Sequence, residues 1–150
     1  MATQYTAGLN VGDVLTAATM NSIGAAWEPF TPTVTQGVNV TFTNTYSKYT
    51  RINKLVIYSF SLALTSAGTG GNGLTLTIPI TAAASQRNQG IAQFYDASAT
   101  TSYINVTYAV STTVIGFINS ASGAGAFGGT PNVAVANGDF MFGTIIYEAA

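Results

Sequence analysis

The chain has 150 residues, with four Lys or Arg, five Asp or Glu, and neither histidine nor cysteine. An ordinary soluble domain is about a quarter charged, so roughly 37 such residues would be typical, against four plus five here. This composition removes the imidazole, the thiolate and the soft metal ligand, and a net charge of −1 leaves no electrostatic footprint for nucleic acid.

The length suits one domain with a real core. Apolar residues make up 47% and the mean hydropathy is +0.34, yet no stretch approaches the roughly 18 uninterrupted apolar residues of a membrane helix. The excess is therefore read as apolar surface buried between subunits rather than as a membrane partner. The start, Met1-Ala2-Thr3-Gln4-Tyr5, lacks the basic and apolar regions of a signal peptide, so synthesis in the cytoplasm is expected.

In chain order, residues 1–32 form the first unit. Thr16 can cap a short helix, because its hydroxyl can accept from an otherwise unpaired backbone N–H. Met20, Ile23 and Trp27 follow at spacings of three and four, giving one apolar stripe. Pro29 and Pro32 then block helix continuation. The expectation is a helical arm of about three turns, which either folds onto its own sheet or grips a neighbouring subunit, since so short a helix cannot stand alone.

From residue 33 to 150 the period is two. Val38, Val40 and Phe42 alternate with Asn39, Thr41 and Thr43; Tyr58, Phe60, Leu62 and Leu64 with Ser59, Ser61 and Ala63; Leu74, Leu76, Ile78 and Ile80 with Thr75, Thr77 and Thr81. One apolar and one hydroxyl-rich face is the mark of a half-buried antiparallel strand. Pro79 lacks an N–H, so its strand is expected at an edge or bulged there. Further strands are predicted at 91–95, 103–110, 113–119 and 139–147. The last has Phe140, Phe142 and Ile146 on one face and Met141, Ile145 and Tyr147 on the other. It is either central in a two-layer core or pressed against another subunit. These short strands with Gly-, Asn- and Ser-rich turns predict an all-β fold, an antiparallel, jelly-roll-like β-sandwich. The glycine-rich segment 120–132 is read as a flexible tip or contact arm, at the same outward end as 68–73.

Several motifs carry more than one reading. Residues 68–73, GTGGNG, match G-x-G-x-x-G, but a dinucleotide site needs a helix next and a strand is predicted instead, so a hairpin turn is expected. Asn39-Val40-Thr41 and Asn105-Val106-Thr107 are formal sequons, read as strand polar positions. Tyr46, Tyr49, Tyr95, Tyr103 and Tyr108 could form an aromatic platform for sugars, or simply pack on a half-buried sheet. Asp96 and Asp139 are a conceivable carboxylate pair, but Asp96 lies in a turn-like stretch and Asp139 follows Asn137-Gly138, so both are assigned to turns. Lys48, Arg51 and Lys54 flank the turn 51–54, where Asn53 tolerates left-handed geometry. No catalytic, cofactor or metal site is expected.

Gly12-Asp13-Val14-Leu15-Thr16-Ala17-Ala18-Thr19-Met20-Asn21, then Trp27 and Phe30-Thr31-Pro32-Thr33, resemble bacteriophage particle proteins. There a G-D-x-L-T-A-A-x-M-N arm runs through a tryptophan into Y/F-T-P-T and a β-domain. Tyr49-Thr50-Arg51-Ile52-Asn53-Lys54 resembles the hairpin Y-x-R-I-G-K, with Asn53 in place of glycine, and the ending Tyr147-Glu148-Ala149-Ala150 also fits. The resemblance covers roughly residues 8–65. It implies a non-enzymatic virion structural protein, commonly trimeric, exposed on the particle surface. The expected role is a capsid decoration or cement protein whose partners are itself and a major capsid or tail protein. The alternative is a minor tail or tail-fibre protein whose β-domain binds a receptor or host surface glycan. Particle anchoring is expected from Leu15, Met20, Ile23, Trp27 and Phe30, and an oligomer interface from Phe140, Met141, Phe142, Ile145 and Tyr147.

Overall fold

A computed structural model describes residues 26–84, 87–119 and 125–150, with the backbone alone for 87–89. The expected helix, with Leu15, Met20 and Ile23, falls outside the described residues. Among the described residues the chain is all-β: ten strands form a single antiparallel sheet. They are β1 (Glu28–Pro29), β2 (Val34–Gln36), β3 (Val38–Val40), β4 (Phe42–Ile52), β5 (Leu55–Leu64), β6 (Thr75–Thr77), β7 (Arg87–Asp96), β8 (Thr101–Ala109), β9 (Val114–Asn119) and β10 (Phe140–Glu148). Their order across the sheet is β1-β4-β5-β10-β7-β8-β9-β6-β2-β3.

The two stacked sheets of a sandwich are thus replaced by one curled sheet. Only Thr41 separates β3, at one margin, from β4, which is the opposite margin except where the two residues of β1 pair with it. The margins therefore come together at Thr41, whose carbonyl accepts from Thr65 N–H at 2.8 Å and whose N–H donates to Ser66 Oγ at 2.8 Å. Twisted strands roll a sheet this way when one face is apolar along its whole width.

The alternation read from the sequence fills the inner face. Val56, Tyr58, Phe60, Leu62 and Leu64 of β5 and Met141, Ile145 and Tyr147 of β10 are all buried, as are Phe94 of β7 and Ile115 and Phe117 of β9. The hairpin joining β4 to β5 turns at Asn53, whose φ of 56° is the left-handed geometry expected of it. Gly138, at φ 94°, likewise turns the chain into β10 after Asn137.

Three expectations change. Glu28–Pro29, expected only to end the helical arm, is a strand paired with Tyr49 and Lys48. β6 stops at Thr77, before Pro79, and lies between β9 and β2 rather than at an edge. The glycine-rich segment 68–73 does not turn a hairpin, because β5 and β6 are not neighbours; it spans between distant parts of the sheet.

The segment 125–135 differs most from the expected mobile tip. Phe127 is fully buried and stacks on Phe94 and Tyr103, with ring centroids 5.1 Å from each. Val133 and Val135 are buried beside it. The two glycine-rich connections do meet: Leu74 N–H donates to Phe127 O at 2.8 Å and Gly71 N–H to Gly128 O at 3.1 Å. They plug one end of the roll, with Gln36 tying them together from the core. Gly128, at φ 96°, lies so close to Asn72 O that an added Cβ would sit 2.6 Å from it. Gly128→Ala therefore combines backbone strain with a steric clash. It is expected to lower the thermal midpoint by several degrees, whereas Gly71→Ala meets no neighbouring atom and carries the strain of its positive φ alone.

Candidate functional site

The outward face of the sheet carries the feature that the fold does not use. Alternation places Phe140, Phe142, Thr144 and Ile146 of β10 outward, opposite the buried Met141, Ile145 and Tyr147. Antiparallel register sets them in rows with their neighbours. Phe140 pairs with Tyr95 of β7, and Tyr95 with Ser102 of β8. Phe142 pairs with Gln93, and Gln93 with Ile104. Thr144 pairs with Ile91, Ile91 with Val106, and Val106 with Ile118 of β9. Ile146 pairs with Ile57 of β5. Residues opposite each other lie about 5 Å apart and touch.

Exposure identifies the uncovered side chains: Ile91 63%, Ile104 53%, Ile146 52%, Phe140 42% and Phe142 39%. The stretches 140–146, 91–95 and 102–106 contain no charged residue. The polar groups interspersed in this face are already paired within it. Gln93 Nε2 donates to Ser102 Oγ at 3.0 Å, and Thr144 Oγ1 donates to Ser59 Oγ at 3.2 Å. Covering such a face leaves few polar groups without partners.

Of the five residues expected at a subunit interface, Phe140 and Phe142 point outward, whereas Met141, Ile145 and Tyr147 fill this chain's own core. The Tyr147 hydroxyl donates to Ile80 O at 2.9 Å and accepts from Ile80 N–H at 3.2 Å, and burial pushes its pKa up to about 12. Ile91 and Ile104 were not singled out from the sequence, and Ile146 was read on the face of Phe140 and Phe142 without being named at the interface. The signal for the first two was present in the alternation, where Ile91 lies opposite the face of Phe94 on β7 and Ile104 opposite the face of Tyr103 on β8. Among the anchoring residues, Trp27 is exposed, while Phe30 is half-buried against Tyr58, ring edge to face at 5.5 Å.

The other candidates disperse. Tyr103 packs inside on Phe94, Tyr49 donates to Glu28 Oε2 at 2.7 Å, and Tyr46 sits under Lys48 Nζ at 5.6 Å. The five tyrosines therefore form no single platform. Lys54 lies 3.9 Å from Glu148, an exposed pair of small energetic weight, and Arg51 donates to Asn53 O. Among the described residues no three acids gather as metal ligands, and no helix is long and apolar enough to cross a membrane.

Asp96 and Asp139 hold turns. Asp139 accepts from Ala97 N–H at 3.0 Å and Ala136 N–H at 2.8 Å, one on each oxygen. Asp96 Oδ1 accepts from Ser98 Oγ at 2.7 Å and Ala99 N–H at 2.9 Å. The Ser98 hydroxyl, above all, holds the Asp96 carboxyl below its ordinary range, whereas burial raises that of Asp139. The linkage signs are opposite. The contribution of Asp96 is present above the unfolded pKa of about 4 and is lost as pH falls. The charged form of Asp139 is the penalised one, so acidification relieves it. Between about pH 6 and about pH 3, Asp96→Asn should therefore lose less thermal stability than the wild type, and Asp139→Asn should lose more. Melting curves at stepped pH check both signs.

Compared with known proteins, the chain matches no family model, no curated protein and no solved structure.

Proposed function

We propose that the chain is a non-enzymatic structural protein of a bacteriophage virion, and within that class an oligomeric decoration or cement protein on the capsid surface. The observation that carries this reading is the uncharged, half-apolar outer face spanning β10, β7 and β8. Monomeric proteins seldom leave so large an apolar patch uncovered, and an assembly component covers it in the particle. The sequence adds the particle-protein pattern of residues 8–65. Both buried acids are occupied with turn N–H groups, which fits a mechanical rather than a chemical role.

In this reading residues 1–32 dock onto the shell and the β-domain stands above it. Met20, Ile23 and Trp27 supply the apolar contacts, whose burial offers several kcal/mol before entropic losses at about 25 cal/mol per Å². The full-length chain carrying Met20→Ser, Ile23→Ser and Trp27→Ser should stay folded and join particles at least tenfold less efficiently. Quantitative mass spectrometry of purified virions provides the readout. Undiminished incorporation would sink the anchoring role, and a copy number far below that of the major capsid protein would move the assignment to the tail.

A further inference from the structure

We propose that the outer face of β10, β7 and β8 is a self-docking surface, on which the same face of another copy of this chain packs, with Ile91, Phe142 and Ile104 at its centre. This deepens the oligomeric part of the proposed function by naming the surface and its occupant.

Three observations select a second copy over other partners. The first is charge. A face without a charged residue along 140–146, 91–95 and 102–106 is complementary to itself, because no like charges meet across a symmetry axis. The second is polar pairing. Gln93 with Ser102 and Thr144 with Ser59 are bonded within the face, so no partner of special polarity is needed to complete them. The third is size. Five strands, β5 to β9 in sheet order, at a spacing of about 4.8 Å span roughly 24 Å, and seven residues at about 3.4 Å span roughly 24 Å. That is at most about 600 Å² per copy, because the face curls away at its sides, so two copies bury up to about 1,200 Å², the size of a small specific interface.

Twisted sheets have a standard way of meeting face to face: about 10 Å apart, strands some 30° from parallel, with side chains interdigitating. The alternation of large and small residues here suits that packing. Phe142 stands next to Gln93, and Ile91 next to Thr144. A lipid surface fits less well, because Thr144, Gln93 and Ser102 interrupt the apolar rows, whereas a lipid-facing β-surface forms a continuous apolar band.

The test uses the full-length chain at micromolar concentration. Light scattering should show a dimer, since one face packed on the same face of a second copy is a two-fold contact, and Ile104→Lys and Phe142→Lys should each shift it to folded monomer, with association weakened at least tenfold. Circular dichroism reports the fold, and both side chains point away from the core. Because the chain has no cysteine, single cysteines placed at Ile91, Gln93 or Ile104 give a second readout that removes little packing. A short bis-maleimide should link copies through at least one of these sites and not through Ser111→Cys, at an exposed loop. An oligomer that survives both lysines, or cross-links only through Ser111→Cys, would overturn the proposal while leaving the virion reading intact. A wild-type monomer would overturn it too, and flotation of that monomer with phosphatidylcholine vesicles would reassign the face to lipid.

Discussion

Gln36→Leu should lower the unfolding free energy by about 3–5 kcal/mol, although leucine nearly matches glutamine in volume. Gln36 is fully buried on β2 and acts as an internal clasp. Its Nε2 donates to Val133 O at 2.6 Å and to Asn72 O at 3.3 Å, and its Oε1 accepts from Val135 N–H at 2.9 Å. Leucine would leave the Val135 N–H and Val133 carbonyl buried without partners, at about 1–3 kcal/mol each, and would release the bond to Asn72. Against a total stability of about 5–15 kcal/mol this is a large share. Gln36→Glu should fall in between as the neutral acid, whose O–H can replace the donation to Val133 O, and should lose more as rising pH forces the buried carboxyl to ionise. Denaturant titration measures all three proteins. A loss below about 1 kcal/mol for the leucine variant would show that the plug does not depend on this side chain.

Phe127→Ala is expected to cost a comparable amount, about 3–5 kcal/mol, by a different route. The ring has no exposure and sits against Phe94 and Tyr103, which themselves stand 6.4 Å apart. Truncation leaves a cavity between β7, β8 and the plug, and cores relax only partly around such a void. The damage should be local as well as global. The Leu74 N–H, bonded to Phe127 O, should exchange with solvent much faster in the variant, while amides of β5 and β10 should follow the global stability. Uniform loss of protection would instead mean that the plug and sheet open as one unit. Phe127→Leu should restore most of the lost stability, since it refills much of the volume.

The class of fold was legible in the residues because a period of two acts locally. Val56 to Leu64 announce which side is buried without reference to any other strand, whereas β10, apolar on both faces, does not. Turn chemistry was equally local: Asn53 and Gly138 adopt the left-handed geometry that few other residues tolerate. The same holds for Asp96 and Asp139, whose short side chains were assigned to turns and bond the nearby N–H groups of Ala99 and Ala136. Pairing across the sheet is not local. Whether β5 is followed in space by β6 or by β10 depends on contacts between residues about 80 positions apart, so an all-β pattern could not distinguish two stacked sheets from one sheet curled until β3 and β4 meet at Thr41. Gln36 and Phe127 became structural centres for the same reason, since each acquires its partners only when distant loops fold over the open end. The outer face lay between these cases. Each strand's second apolar stripe could be read in the sequence, but only the register places Phe142, Gln93 and Ile104 in one row. Local steric and hydrogen-bonding preferences therefore determined the strands and turns, and the long-range hydrophobic packing that closes the roll decided which side chains were left outside.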